Sequence, residues 1–492
     1  MVRGFVLTVC LALMGCTVGP EYVRPAAPIP VSYKWEAGWR EARPADAIDR
    51  GAWWSVFDDP ALDALLRQVD IANQDLAAAE AAFRTAAAAV AEARAALFPT
   101  AEVNASAQRS RAGGAAQSGR IGNAFRTAAS ASWVPDLWGR VRLNVKGAVA
   151  VTQASAADLA AARLALQAQL ATAYIEIRLL DELRRLLDAA ADAYAESLRI
   201  SRNQYNAGIV SAADVAQART QVESTRARAI AVGVQRAALE NAIAVLIGKP
   251  PSELDIPPVA GLPPLPAIPA SLPSGLLERR PDIAAAERRM AAANADIGVA
   301  ATAFYPDIVL SGDSGTAASE IGRLVSASSR VWSFGSTLVQ TVFDAGARHA
   351  RVAQAEAAFD RNVALYRQTV LDALREVEDQ LAALRILRDQ AAALESAVSA
   401  AREAERILSN QYLAGTVVYT DVIVAQTTAL NNAQAALAVR QARLLAAVAL
   451  IEALGGGWEA SQLPSRERLN EISPLNFSPL PPPSARPRLK LW

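Results

Sequence analysis

The chain has 492 residues, and its 49 lysines plus arginines balance 49 aspartates plus glutamates, so no overall charge points to nucleic acid. One histidine, His349, and two cysteines, Cys10 and Cys16, cannot assemble a zinc site or a histidine-based triad. Carboxylate chemistry needs neither residue type, but no paired-carboxylate motif stands out, and an enzyme is the least favoured class.

Met1-Val2-Arg3 is a short basic start, and Gly4 to Leu13 is an apolar run, too short to span a bilayer and right for a secretory signal. It ends in Leu13-Met14-Gly15-Cys16, which resembles a bacterial lipobox with Met14 in place of the usual small residue. On that reading residues 1–15 are the signal and Cys16 carries covalent lipid, with no other cofactor and no metal expected. The plainer alternative is an ordinary signal with an incidental cysteine. Cys10 leaves with the signal, so no internal disulfide remains. Thr17 stands where an aspartate would suggest inner-membrane retention, which favours the outer membrane. Acyl chains anchor firmly without a transmembrane helix.

Residues 16–58 are rich in proline and aromatics and read as an extended arm lying on a surface. Asp59-Pro60 is a helix start, with the aspartate as cap and proline in the first turn. The helix is expected to run to about Leu97 and stop at Phe98-Pro99. Thr100, Glu102, Asn104, Ser106 and Gln108 then alternate with Ala101, Val103, Ala105 and Ala107, a strand polar on one face. Arg109 to Asn123 reads as a loop, and its Gly113-Gly114 has no phosphate-binding context. A second strand is expected over Phe125 to Val134. From Ala148 to Ala207 there is no glycine or proline, which predicts one uninterrupted helix about 90 Å long. Its larger apolar residues fall on a seven-residue grid. Leu159, Leu166, Ala173, Leu180, Leu187 and Tyr194 form one row; Leu170, Ile177, Ala191, Leu198 and Tyr205 form the other, with Arg184 the one break. Such a repeat buries a seam against neighbouring helices. The chain turns at Asn206-Ala207-Gly208 and returns as a helix to Ile247-Gly248.

The pattern then recurs. Phe98-Pro99 matches Tyr305-Pro306, Gly139 matches Gly346, Gly208 matches Gly415, Asp214 matches Asp421 and Gly248 matches Gly455, each pair 207 residues apart (346 − 139, 415 − 208). The chain is an internal tandem repeat. The first copy spans 59–248, with a β-hairpin at about 99–135 and a helical hairpin at 139–248. The second spans 281–457, with a β-hairpin at about 305–343 and a helical hairpin at 346–455. In the second long helix Val363, Val370, Val377, Leu384, Ala391 and Val398 sit seven apart. Residues 249–280 form a proline-rich connector, and the tail, 458–492, is expected to wrap the outside or lack order.

Two strands per copy cannot close a barrel, and an open sheet in lipid leaves unpaired backbone groups costing several kcal/mol each. Partners are therefore required. Eight strands fill their own interior, whereas twelve from three chains leave a wet passage. Polar and small or apolar faces suit a lumen inside and lipid outside. Trp133, Trp138 and Trp332 fit either an interfacial girdle or packing of hairpin against helix.

These features bring the chain to a known family. It resembles the TolC/OprM family of outer-membrane efflux factors, in the NodT-type lipoprotein branch of RND systems. The resemblance is carried by Cys16-Thr17-Val18-Gly19-Pro20-Glu21-Tyr22, by Trp53-Trp54 through Asp59-Pro60, and by Leu277-Glu278-Arg279-Arg280-Pro281-Asp282-Ile283. Asn294-Ala295-Asp296-Ile297-Gly298, Tyr305-Pro306 and Phe343-Asp344-Ala345-Gly346 extend it. It implies a mainly α protein with a transmembrane β-barrel: a homotrimeric channel-tunnel, twelve-stranded in the outer membrane with four strands per chain, continuing as a periplasmic helical barrel. It also implies a passive conduit in a tripartite system, receiving small toxic compounds or drugs from an inner-membrane RND-type pump through a periplasmic adaptor (membrane fusion) protein.

The resemblance places the helix-hairpin tips against the adaptor and at the periplasmic gate: Tyr205, Gly208, Ser211 and Asp214 in the first copy, Tyr412, Gly415, Val417, Tyr419 and Asp421 in the second. A glycine ending a helix and an aspartate beginning the next also serve structure alone, and Ser211 with Asp214 resembles a capping box. Some members carry an aspartate at the position of Val417, so constriction by Val417, Tyr419 or apolar neighbours replaces an acidic ring. Thr341 stands where members often have proline. His349 reads as a surface or packing residue, and Arg279-Arg280 and Arg288-Arg289 as solvated or paired structural charges. Two other readings are an outer-membrane component of type I protein secretion, which the lipobox disfavours, and a periplasmic coiled-coil scaffold lipoprotein, against which the β-hairpins argue.

Overall fold

Asp59 begins the first helix by accepting hydrogen bonds from the backbone N–H groups of Ala61 and Leu62, with Pro60 at the first helical position. The computed structural model describes residues 18–30, 32–35, 52–111, 121–266 and 275–470; the signal, Cys16 and Gly113-Gly114 lie outside them. Helix α1 spans Pro60–Ala72 and α2 spans Gln74–Ala95. The sequence predicted one helix here. It is broken at Asn73, whose extended backbone caps α2 through Leu76 N–H while its amide donates to Leu246 O at 2.8 Å. Neither glycine nor proline marks the break; a buried side-chain amide that satisfies two backbone groups does.

Strands β1 (Thr100–Arg111) and β2 (Ile121–Trp133) follow, longer than predicted because residues 109–111 and 121–123 stay in the ladder instead of the loop. Helix α3 then runs Arg140–Asn206 and α4 returns over Ala212–Leu246. The second copy gives α5 (Pro281–Thr302), β3 (Asp307–Ala318), β4 (Arg330–Val339), α6 (Ala347–Leu413) and α7 (Tyr419–Ala453). α3 and α6 both have 67 residues, α4 and α7 both 35, and each pair starts 207 apart (347 − 140, 419 − 212).

The grid along α3 is inside. Leu159, Ala173, Leu180, Leu187 and Tyr194 are buried, as are Leu170, Ile177, Ala191 and Leu198, while Arg184 faces solvent. Tyr205 departs from its row at 49% exposure, because the seam ends where the hairpin turns. Along α6, Val370, Val377 and Leu384 are buried but Val363, Ala391 and Val398 only half so.

The largest core lies midway along the struts, where Trp53, Phe57 and Leu62 pack among Tyr174, Ile177, Tyr366, Val377 and Leu450. The arm is thus pinned at its C-terminal end. Trp53 donates its indole N–H to Gln167 at 3.1 Å, and Arg178 reaches Asp59, the Tyr174 hydroxyl and Gly261 O. Of the predicted structural charges, Arg280, Arg288 and Arg289 are paired. Arg280 bridges Asp282, Glu376 and Ala453 O; burial opposes its charge, but the two carboxylates outweigh that and raise its pKa. Arg288 meets Glu287, and Arg289 meets Asp158. His349 is exposed and sets its ring edge-on to Phe304 at 4.9 Å. The start of the tail is packed: Leu469 is buried with Val90, Val145 and Val149, and Pro464 O accepts from Gln153. The rest of the tail, from residue 471, lies outside the described residues.

Candidate functional site

Among the described residues four strands form one antiparallel sheet in the order β1-β2-β3-β4, with β1 and β4 as free edges. Directly paired residues share a face. Glu102, Ser130 and Asp313 therefore project together, with Ser132 and Ser311 one pair below. On that face Arg126 binds Asp313 at 3.1 Å and Ser333 donates to the same carboxylate. The opposite face carries Ala101, Val103, Ala129, Ala131, Leu310, Trp332 and Phe334. Trp332 is 79% exposed and Phe334 77%, an uncovered aromatic surface on a sheet whose other side is polar. The three tryptophans differ in their surroundings, and Trp133 donates its indole N–H to Leu97 O at 3.0 Å. Trp138 stacks on Tyr305 at 5.0 Å and donates to Pro306 O, so it packs hairpin on helix; Trp332 stands free on the apolar face.

Below the sheet each long helix starts from a left-handed glycine, Gly139 and Gly346, with no side-chain cap. Nearby aspartates supply the acceptors. Asp136 takes the N–H groups of Val141 and Arg142, and Asp344 those of Gly346 and Arg348. Hydrogen bonds from Arg348 and the Gly346 backbone outweigh desolvation and hold the Asp344 carboxyl below the usual range. Thr341 lies in the link between β4 and α6.

At the far end, Gly208 and Gly415 both have φ 74°, closing two equivalent turns. Ser211 and Asp214 form the capping box: Asp214 N–H donates to the Ser211 hydroxyl at 3.2 Å, and Ser211 N–H to the Asp214 carboxylate at 2.9 Å. Asp421 lies in the first turn of α7 and is exposed. The tyrosines separate. Tyr205 is exposed, whereas Tyr412 and Tyr419 are 5% and 1% exposed, with ring centroids 5.2 Å apart. Val417 is half-buried against the same cluster. Tyr419 thus sits inside its own protomer. Burial, then the neighbouring Tyr412 and Tyr194, push its phenol up to about 12.

Sequence reading missed the polar seam around these rings. The hydroxyls of Ser201 and Tyr412 are 3.0 Å apart, Tyr194 donates to Gln426 O at 3.2 Å, and Gln426 donates to Ser197 at 3.1 Å. α3 of the first copy is thereby tied to α6 and α7 of the second. The available signal was Ser201 itself, which continues the Tyr194 row of the grid by seven residues.

The described arm runs downward from the sheet. Val18 N–H donates to Trp138 O, Asn294 to Pro20 O, and the Tyr22 hydroxyl to Glu287 at 2.6 Å. Lower down, Arg24 reaches Tyr366 and Glu378 takes the N–H groups of Lys34 and Trp35. Val18 therefore fixes the leading end of the described chain at the junction between sheet and struts.

A family profile for outer membrane efflux proteins matches residues 65–249 and 272–456, one match per copy. The chain belongs to the outer membrane efflux protein family. It is 32% identical over 453 residues to the probable efflux pump outer membrane protein TtgC of Pseudomonas putida, covering 91% of this chain and 93% of that one. It is 33% identical over 470 residues to outer membrane protein OprJ of Pseudomonas aeruginosa, covering 92% and 95%. Among solved structures, the outer-membrane channel OprN superposes with a TM-score of 0.84 at 30% identity, over 90% of this chain and all of that one. The open state of the Neisseria gonorrhoeae MtrE outer membrane channel gives 0.80 at 28%, over 90% and 99%. The family's channel-tunnel fold is the fold of this chain, and the protein is an efflux channel of the Gram-negative outer membrane, with its sheet as the membrane part and its helices in the periplasm.

Proposed function

We propose that three copies of this chain form a lipid-anchored passive conduit that carries small toxic organic compounds out of a tripartite efflux pump. The observation that carries the reading is the four-stranded sheet, polar on one face and apolar on the other, with both edges unpaired. Closure by identical neighbours satisfies those edges, and three chains give the width of a wet passage. The uncovered apolar residues of α4, Ile230 and Val234 at 74% and 77% exposure, support a neighbouring chain beside the helices as well.

Lipidation of Cys16 is supported by the position of Val18, two residues on, at the level where strands become helices. The cargo class is supported by the names of relatives: one is an antibiotic efflux protein and another a toluene efflux protein, both of Pseudomonas putida. The tips receive the periplasmic adaptor, with an inner-membrane RND-type pump beyond it. Docking draws the second-copy hairpin away from the first and opens the periplasmic end. Gly208, Gly415, Ser211, Asp214 and Asp421 shape the turns; Tyr205 and Val417 meet the adaptor; Tyr412 and Tyr419 belong to the seam that must part.

Deleting the gene and challenging the cells with antibiotics, dyes, solvents and metals tests the role. Hypersensitivity to apolar organics is expected. Unchanged susceptibility, or a purified protein that is monomeric and forms no channel in planar bilayers, would sink the reading.

A further inference from the structure

The apolar face of the sheet is not level. On the central strands Ala131 and Gly312 face each other, flanked on β4 by Phe334; in the next row Ala129 and Ser314 are flanked by Trp332. Phe334 comes within 3.5 Å of where a Cβ on Gly312 would stand. Toward the periplasm Trp133 and Leu310 form the lower lip, and toward the exterior the paired hydroxyls of Thr127 and Thr316, 2.9 Å apart, mark the upper one. Between them lies a groove of about 630 Å³, floored by small side chains and walled by rings. From Leu310 to Ser314 it runs about 14 Å along the strand, close to the roughly 15 Å of hydrocarbon in one leaflet.

The leading end of the described chain is fixed below this groove. Val18 N–H is bonded to Trp138 O, the Trp138 indole N–H is bonded to Pro306 O, and Pro306 immediately precedes β3. Cys16 stands two residues before Val18, at most about 7 Å of chain. An acyl chain on Cys16 can reach the groove from below, where Leu310 of the lower lip stands four residues beyond Pro306.

We propose that the groove seats an acyl chain carried by this chain's own Cys16, so that each protomer covers its stretch of barrel wall with its own anchor. The proposal rests on the lipidation of Cys16 read above. Its tether confines the anchor to this stretch of wall and holds its local concentration high, whereas bulk lipid exchanges around the whole circumference. The small floor admits a straight methylene chain to van der Waals contact, and Trp332 and Phe334 bound it laterally.

The test uses the full-length protein in its native membrane, with a diazirine-bearing fatty acid fed to the cells. After illumination and digestion, the N-terminal Cys16 peptide is expected to be joined through its acyl chain to peptides holding Ala129–Ala131 or Gly312–Ser314. Ala131→Leu, which fills the floor, is expected to abolish most of those crosslinks. The wild-type map decides the matter even where that variant fails to assemble. Crosslinks from Cys16 mainly to phospholipid, or groove peptides joined to free phospholipid while the anchor is intact, would overturn the proposal. The mass of the Cys16 peptide separates the two readings: an unmodified cysteine overturns lipidation and groove together, and a lipidated one without sheet crosslinks overturns the groove alone.

Discussion

Arg178 Nη1 lies 2.6 Å from Asp59 Oδ2, and the two side chains are 8% and 9% exposed. Asp59 also caps α1 and accepts from the Tyr174 hydroxyl, so one carboxylate fixes the first helix, the strut and the end of the arm. Arg178→Met leaves that carboxylate buried without its cation and is expected to cost about 3–5 kcal/mol. The loss is measured by the urea midpoint of the assembled protein. Combining it with Asp59→Asn is expected to cost less than the two changes added, because they share one interaction.

The tip tyrosines predict opposite outcomes from the same substitution. Tyr412→Phe removes the bond to Ser201, worth about 1 kcal/mol, and loosens the seam between the copies. Higher resting conductance in planar bilayers is expected. The Tyr419 hydroxyl is buried without a hydrogen-bond partner, so Tyr419→Phe is expected to leave stability unchanged or improved.

Tyr419 also predicts an alkaline response. Its folded pKa, about 12, lies above the unfolded value of 10.0, so the unfolded state loses its proton first. The stabilising effect is complete below pH 10 and is lost as pH rises toward 12. Hydrogen exchange at the tips is expected to accelerate in that window, and Tyr419→Phe to blunt the acceleration. An identical alkaline profile in the variant would assign the effect elsewhere.

Four of the glycines with left-handed backbone, two from each copy, divide into two classes. Gly208 and Gly415 have no atom within 4 Å of an added Cβ, so alanine there costs only the backbone term, about 1–2 kcal/mol. Gly248 and Gly455 press against backbone, Ala72 O and Arg279 O respectively, positions that are themselves 207 apart (279 − 72). Alanine there adds overpacking of about 1–3 kcal/mol. Thermal stability of the assembled protein is expected to fall more for the second class.

On the polar face of the sheet Arg126 is paired with Asp313 at 3.1 Å and both side chains are partly exposed. Arg126→Gln removes its positive charge and is expected to shift the reversal potential toward cation selectivity in a salt gradient. The shift should shrink at high ionic strength.

The repeat, the struts and the two-faced strands were legible because each rests on periodicity. A seven-residue grid buries the Leu170 and Ile177 row wherever neighbouring helices come from. Asn73 was illegible because its break depends on Leu246 O, 173 residues away. At the seam only the Ser201 position was legible, from the grid; its bond to Tyr412 and those of Gln426 depend on a partner from the other copy. The burial of Tyr419, offered with Val417 and apolar neighbours as a constriction, was not legible because it depends on packing against Tyr412 and the first copy.

The two struts are each 67 residues long, so the two tips end level with one another. An insertion of one residue moves everything beyond it by 1.5 Å and turns it by about 100°, so the buried row leaves its neighbour. Only steps such as seven or eleven residues, which come within about 20° of whole turns, restore the facing, and only if they occur in both copies and in both legs of each hairpin. The reach of this tube across the envelope is therefore inherited in fixed increments, and a lineage that lengthens it has to write the same change four times.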